Sequence, residues 1–590
     1  MSLKKRVNKE RITRSTRMKK WESIIAMICC SALSVDCAGL GGSVAGLVLG
    51  VFLGRFSRHS DKVEPSTTAN DQHLFQSEGW EERRSYADWE PFRELGKDMI
   101  DYIVNYYKGV EARPVRAQVQ PGYLKVRLNT LLPSNKISAV GERWSDIMVD
   151  VETKIMPGMT HWQHPRFFAY FPANSSPPAI LGELVASMFN VIGFSWEASP
   201  AATELETIVM DLLAREMGLP SYFLSEGGGG GVIQGSASEA TLVAMLAART
   251  RALKRLRQES PDASDQEIFG RMTVYASDQA HSSVKKAALI AGIQFRTVPT
   301  SAMKNFAMSS AELELAMAED RSKGFTPIFV CFNVGSTNTC AVDPVRALSE
   351  TCRRCHSCEH RGCETMVPWL HVDAAYADRL LVNFDCSGMW VKNRSFLVDA
   401  LSVTQSILST KEHEQGLVID YRNWQIPLGR KFRSLKIWFT LRAFGLEKIQ
   451  GHIRRHIALA LELETLIRMD NRFEVVTPTV FGLVCFRLRA SDSANLKLRS
   501  VIVDSGLAYF VSTTIGSRTV LRIAIGSPAT ERKHVMELWH ALQAAAGNVI
   551  EGDEEWERHL ESGRGKYGAQ DAEFQHEDQS IPTSMEEDTT

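Results

Sequence analysis

The stretch RMTVYASDQAHSSVKKAALIA, Arg271 to Ala291, decides the fold. Arg271–Ala276 is mostly apolar or β-branched and reads as a buried strand. Ser282–Ala291 reads as a helix, and the polar Ser277–His281 joins the two. The same alternation recurs outward. Thr326–Phe332 and Trp369–Asp373 read as buried strands, and Leu242–Arg257 reads as a helix. Strands separated by helices imply an α/β fold with a mostly parallel sheet covered on both faces. Ligands of such sheets sit beyond the carboxyl ends of the strands. Upstream, Glu90–Tyr107 and Trp144–Ile155 carry helical spacing. Downstream, Phe473–Leu488 and Thr519–Ile525 are β-rich and lead into a helix over Glu531–Ala546, a smaller α+β domain. The chain therefore divides into an extension and linker (1–85), a helical arm (86–166), a large domain (167–445), a small domain (446–550) and an acidic tail (551–590) predicted to be disordered.

The 590 residues are 44% apolar and 23% charged, enough for a large core. A net charge of −1 excludes a global pull toward nucleic acid or anionic lipid. Eleven cysteines without a regular framework indicate a reducing, cytoplasmic setting. The first twenty residues are strongly basic, and an apolar stretch follows from Ile24 to Phe56. Within it Ala38–Gly54 is uncharged, with Gly42, Gly46, Gly50 and Gly54 four apart. On a helix those glycines share one face, which suits packing in a membrane. A membrane anchor is one reading of 24–56. A removable targeting peptide and an upstream extension of a soluble enzyme are the others.

Three elements carry chemistry. Gly227–Gly231 leads through Gln234-Gly235-Ser236-Ala237-Ser238 into a run of good helix formers. Free N–H groups and the positive end of a helix dipole there make a phosphate cradle, with Ser236 and Ser238 as hydroxyl donors. An N-cap after a loop is the plainer reading. In Trp369–Tyr376 an apolar strand ends in Asp373 and two alanines. Such an acid pairs with a protonated pyridine nitrogen, or else caps a turn. His281, between strand and helix, can stack on a ring and shuttle protons.

Taken together, these strings resemble the group II pyridoxal-phosphate decarboxylases, within them the animal aromatic-L-amino-acid and histidine decarboxylases. The resemblance rests on His161–Pro165, Phe168–Pro172, Gly193–Trp196, Thr203–Glu206, Gln234–Thr241, Ser277–Ser283, His371–Ala377, Leu380–Lys392 and Trp424–Ser434, and it spans about Pro91 to Val549. It implies an aspartate-aminotransferase-type fold and a homodimer with the site near the subunit interface. It implies pyridoxal 5'-phosphate as cofactor and an amino acid as substrate. By resemblance Ala237 and Ser238 bind the cofactor phosphate, His281 stacks on the pyridine ring and Thr337 lies beside it. Asp373 pairs with the ring nitrogen, and Ala375 packs against the ring. Tyr170, Phe171, Ile192 and Phe194 line the substrate pocket, and Ala173 stands where a substrate-contacting Thr is common. Gly429 falls where histidine-specific enzymes tend to carry Ser, which favours a larger aromatic side chain.

The sequence also departs from that family. There, a longer segment between the HVDAAYA and LLVNFDC strings ends in Asn-Pro-His-Lys-Trp, whose lysine holds the cofactor as a Schiff base. Here Ala377 is followed by Asp378-Arg379 and then Leu380. Asp378 stands in the lysine's register and Arg379 in that of the Trp. Neither Lys392 nor Lys411 inherits the role by position. Loss of the segment should remove at least one strand and threaten the sheet. Ile407 takes the position of the loop tyrosine that reprotonates the substrate carbon. Cys352, Cys355, Cys358 and Cys363, with His356 and His360, crowd an inserted loop. They lack the two separated ligand pairs usual for zinc, so no metal is predicted. The expected activity is decarboxylation of an aromatic L-amino acid. The alternatives are a non-catalytic or alternatively spliced dimer partner and a histidine decarboxylase.

Overall fold

The structure is a computed structural model. It describes residues 45–50 (backbone only), 89–129, 141–354, 367–376, 380–403, 418–555 and 557–558. Among the described residues eleven strands form two sheets. The large sheet has the order β2-β7-β1-β6-β5-β3-β4. Its members are β1 (Ala45–Gly50), β2 (Gly230–Gln234), β3 (Met272–Ser277), β4 (Gln294–Val298), β5 (Thr326–Asn333), β6 (Trp369–Asp373) and β7 (Ser387–Val391). Six strands run parallel, and β7 runs against its neighbours β1 and β2.

The period of two that marks a strand is visible in which core each residue joins. Tyr275, Val330, Phe332, Leu370, Val372 and Trp390 pack toward the helices Pro200–Glu216 and Ser310–Ser322. Val274, Ala276, Phe329, Cys331, Trp369 and Met389 pack toward the helices Ala237–Glu259 and Ser282–Ala291. The predicted strands therefore form nearly where they were read, because both faces are buried and apolar residues occupy most positions.

The glycine run has a different role from the one expected. Gly230 and Gly231 lie inside β2, and Gly231 pairs with Trp390 of β7. A Cβ on Gly231 would lie 2.5 Å from the Trp390 indole nitrogen. The run lets two strands approach beneath an indole, while the anion-facing part begins only at Gly235. The Trp144–Ile155 helix also changes character. It is α-helical over Trp144–Asp150 and then widens to a π turn over Val151–Ile155.

Two expectations for the N-terminal extension are corrected together. The large sheet does not lose a strand where the sequence lacks the family segment. Strand β1 occupies that place, parallel to β6 and antiparallel to β7. Ala45–Gly50 is therefore extended and paired on both sides, which a membrane-spanning helix over Ala38–Gly54 does not allow. No described helix is long and apolar enough to cross a membrane. The rest of the 24–56 stretch lies outside the described residues.

The small sheet is antiparallel, in the order β10-β11-β9-β8, built from β8 (Phe473–Val475), β9 (Leu483–Leu488), β10 (Val511–Ile515) and β11 (Arg518–Ala524). The long helix Ser434–Met469 joins the two sheets and breaks at Gly445, whose φ of 67° suits glycine. The acidic tail was predicted to be disordered from 551 on, yet its first residues dock. Asp553 accepts from the Ser491 N–H at 3.0 Å, and Glu555 reaches the buried Arg487 guanidinium at 3.5 Å. A buried cation recruits carboxylates, and Arg487 also draws on Glu474 and Asp492.

Candidate active site

The carboxyl ends of β2, β3, β5 and β6 open on one edge of the large sheet. Each parallel strand delivers its last residues there, so residues far apart in sequence meet.

Asp373 ends β6 and is buried. One carboxylate oxygen accepts from the Ala375 N–H at 3.0 Å. Burial pushes its pKa up, while that hydrogen bond and the charge of His281 pull it back. Among the described residues no Lys or Arg pairs with this buried acid, and a protonated pyridine nitrogen would supply a cationic partner. Two residues earlier His371 is fully buried, 3.5 Å from the Thr241 hydroxyl and stacked on Phe329. Burial pulls its pKa down to about 3, so the ring is neutral.

His281 is the N-cap of the Ser282–Ala291 helix. Its Nδ1 accepts from the Ser283 N–H at 3.2 Å. In the neutral ring the proton therefore sits on Nε2, which is left as a donor. At the end of β5, the Asn333 amide donates to the Ser277 hydroxyl at 3.2 Å and to Asp343 at 3.2 Å. Burial pushes Asp343 up to about 6 despite the N–H groups of Met308 and Asn333.

At the end of β2 the Gln234–Ser238 stretch leads directly into a helix. Ser236 is the N-cap of the Ala237–Glu259 helix, its hydroxyl oxygen accepting from the Glu239 N–H at 3.2 Å. Ala237 is buried and Ser238 exposed in the first turn, where main-chain N–H groups have no partner within the helix. Those N–H groups and the Ser238 hydroxyl suit a phosphate.

Thr337 stands on the loop after β5. Arg522 of β11 donates to the Thr337 carbonyl at 2.6 Å and to the Asn338 carbonyl at 3.2 Å. The same guanidinium lies 5.1 Å over the Phe171 ring, and Phe171 stacks on Tyr376 at 3.8 Å. Gly335, with φ 91°, passes so close that a Cβ would be 3.2 Å from Tyr376. Sequence reading missed Arg522, Tyr376 and Asn333. Arg522 had no local signal, since it sits on a strand of the other sheet.

The remaining pocket residues fall into two groups. Ile192, Phe194 and Gly429 belong together. The Gly193 N–H donates to Arg430 at 3.1 Å, the Arg422 N–H donates to Phe194 at 3.2 Å, and a Cβ on Gly429 would touch Ile192 at 3.4 Å. Ile192 is exposed. Tyr170 adopts a left-handed backbone, φ 53°, with its hydroxyl 2.9 Å from that of Tyr509. Ala173 is buried. Beside it Asn174 is buried too, and neither polar atom of its amide has a hydrogen-bond partner among the described residues. Ser176 donates to the Leu381 carbonyl at 2.6 Å, so this corner rests on the segment just past the gap.

No described lysine considered for the covalent role is available for it. Lys392 lies 5.0 Å over the Tyr222 ring, and Lys436 pairs with Glu183. Asp378, Arg379, Ile407, Lys411 and the cysteines at 355, 358 and 363 lie outside the described residues. Cys352 is buried in the large-domain core, and no cluster able to hold a metal occurs among the described residues. The residues present thus fit the ring and phosphate of pyridoxal phosphate, and neither Lys392 nor Lys436 is placed to hold it covalently.

Comparison with known proteins agrees. The profile of the pyridoxal-dependent decarboxylase conserved domain matches residues 121–382 and again 378–489, two stretches that meet at the gap. The rat aromatic-L-amino-acid decarboxylase is 41% identical over 497 residues, covering 79% of this chain and 100% of the relative. Tryptophan decarboxylase 2 of Oryza sativa subsp. japonica is 43% identical over 509 residues, covering 80% and 98%. The solved structure of Oryza sativa TDC with PLP and tryptamine has a TM-score of 0.73 at 35% identity, covering 79% of this chain and 100% of that one. With its fold, its carboxyl-edge site and these likenesses, the chain belongs to the pyridoxal-dependent decarboxylase family.

Proposed function

We propose that the chain decarboxylates an aromatic L-amino acid of the dopa, 5-hydroxytryptophan or tyrosine type to its amine, with pyridoxal phosphate as cofactor. The observation that carries this reading is Asp373, a buried carboxylate at the end of a central parallel strand with His281 close enough to weigh on its charge. Asp373 would hold the pyridine nitrogen, His281 the ring face, and Ala237 with Ser238 the phosphate. Bound there, the protonated ring supplies a sink for the electron pair left when carbon dioxide departs.

The chain's own residues do the rest. Asp373 keeps a proton on the ring nitrogen. His281 offers the proton on Nε2. The Phe171–Tyr376 stack, held by Arg522, keeps water from one wall. Gly429 beside Ile192 leaves room for a large aromatic side chain, which favours dopa over histidine. A homodimer belongs to this reading. It is supported by the exposed apolar side chains Leu184, Met188, Phe189, Ile192, Ile426 and Leu428. A cytoplasmic setting is supported by the buried free thiols Cys331, Cys386 and Cys485.

A second reading has its own observation. Asp378 stands in the register of the covalent lysine, and Lys392 and Lys436 are held elsewhere. On this reading the chain is a non-catalytic dimer partner that binds the cofactor without a covalent bond. One experiment separates the two. The purified chain is incubated with pyridoxal phosphate and dopa, reduced with borohydride and weighed intact. Dopamine and a fixed adduct support the decarboxylase. Bound cofactor with neither product supports the partner. Histidine as competitor tests the substrate preference.

A further inference from the structure

Strand β1 comes from the wrong part of the chain for its place in the sheet. The other six strands of the large sheet lie between Gly230 and Val391, whereas β1 precedes the first helix, Glu90–Gly109. It sits between β6 and β7, and no strand is described between Asp373 and Ser387. Without β1, strands β6 and β7 would stand two ladder spacings apart, roughly 10 Å. Their facing N–H and C=O groups would then be buried without partners, which a folded interior does not tolerate. The position is a slot one strand wide.

We propose that this slot is a strand-acceptor site, and that its occupant is this chain's own Ala45–Gly50, bound as an exchangeable donor strand. Strand addition draws its strength from main-chain hydrogen bonds, and a tethered segment remote in sequence can supply them. The register is continuous on both sides. Gly46 lies between His371 and Val391, Leu47 between Val372 and Trp390, and Val48 between Asp373 and Met389. Residues 38–54 carry no charge that would have to be buried. The donor therefore flanks Asp373, and filling the slot fixes the end of the strand on which the site acid stands. The strand itself, Ala45–Gly50, carries no lysine, so it restores the sheet without supplying an amine of its own.

Hydrogen exchange on the full-length chain tests this directly. The amides of residues 45–50 are expected to be protected as strongly as those of β5 and β6. Exchange as fast as in an unstructured peptide overturns the proposal. So does protection that arises only on adding phosphatidylcholine–phosphatidylserine vesicles, which would return the segment to a membrane. A chain lacking residues 1–60 provides the second arm. Its melting temperature should fall by several degrees, as roughly 2–4 kcal/mol of lost stability would give in a chain of this size. A synthetic peptide of residues 42–54 should restore most of the loss, and the same peptide with Val48→Pro should not. An unchanged melting temperature with no peptide binding overturns the proposal. None of these readouts uses the cofactor, so their failure leaves the functional reading untouched.

Discussion

Asp373 has two unlike neighbourhoods. On the β5–β3 side every strand follows its predecessor through a helix, and two of the three bring a site residue to the edge: Thr337 after β5 and His281 after β3. On the β1–β7 side the sheet is rebuilt from the N-terminal extension, and beyond β7 strand β2 leads into Ser236, Ala237 and Ser238. Candidate holders of a phosphorylated pyridine thus lie on both sides of Asp373, and the gap where the family's covalent lysine would fall lies on the β1–β7 side. Recognition and covalent chemistry are carried by different strands, and a chain can keep the first without the second.

The comparison breaks most readily at Asp373. If the intact side does the holding, Asp373→Ala should weaken pyridoxal phosphate binding about 100-fold or more, since breaking a buried charge pair costs about 3 kcal/mol or more. Fluorescence titration of the two proteins measures this. Equal affinities would mean the rebuilt side contributes the binding. A smaller effect is expected at Arg522, the tie between the sheets. Arg522→Ala loses two charge-assisted hydrogen bonds to the Thr337 loop and should lower stability by about 2–3 kcal/mol in urea unfolding. No change would show that the loop is held without the small sheet.

The smallest effect concerns His371, on the strand that both sides share. Its pKa falls from 6.5 to about 3 on burial. The unfolded chain takes up this proton below pH 6.5 and the folded chain does not until about pH 3. Stability from this group is therefore present above pH 6.5 and lost as pH falls toward 3, by no more than about 1.4 kcal/mol per pH unit. His371→Asn should flatten the acid limb of a stability–pH curve. His534, pulled down to about 4 by burial, acts in the same direction and preserves part of the slope.

The sequence was legible where local pattern and final environment coincide. Met272–Ser277 and Trp369–Asp373 are mostly apolar because both faces of their sheet are covered, so their strands could be read directly. His281 and Asp373 were legible because each ends or follows such a strand. Arg522 was not, because its partners belong to another sheet. Strand β1 was not, for a sharper reason. Small apolar residues with glycines four apart fit a membrane helix and an interior strand equally well. The choice was made by a vacancy created more than three hundred residues away, where Asp378 follows Ala377. The docked Asp553 and Glu555 show the same effect at smaller scale, since the attraction comes from Arg487 and not from the tail.

The placement of β1 also sets an order in time. Ala45 pairs with Leu370 and Gly46 with Val391, so the first strand to leave the ribosome must wait for partners made much later. Contacts so distant in sequence close slowly, because the loop entropy must be overcome before any pairing rewards it. The antiparallel sheet of residues 473–524 has its partners close by and can form without delay. During synthesis the centre of the large sheet thus stays incomplete until Val391 has emerged, and an apolar N-terminal segment stays unsheltered until then.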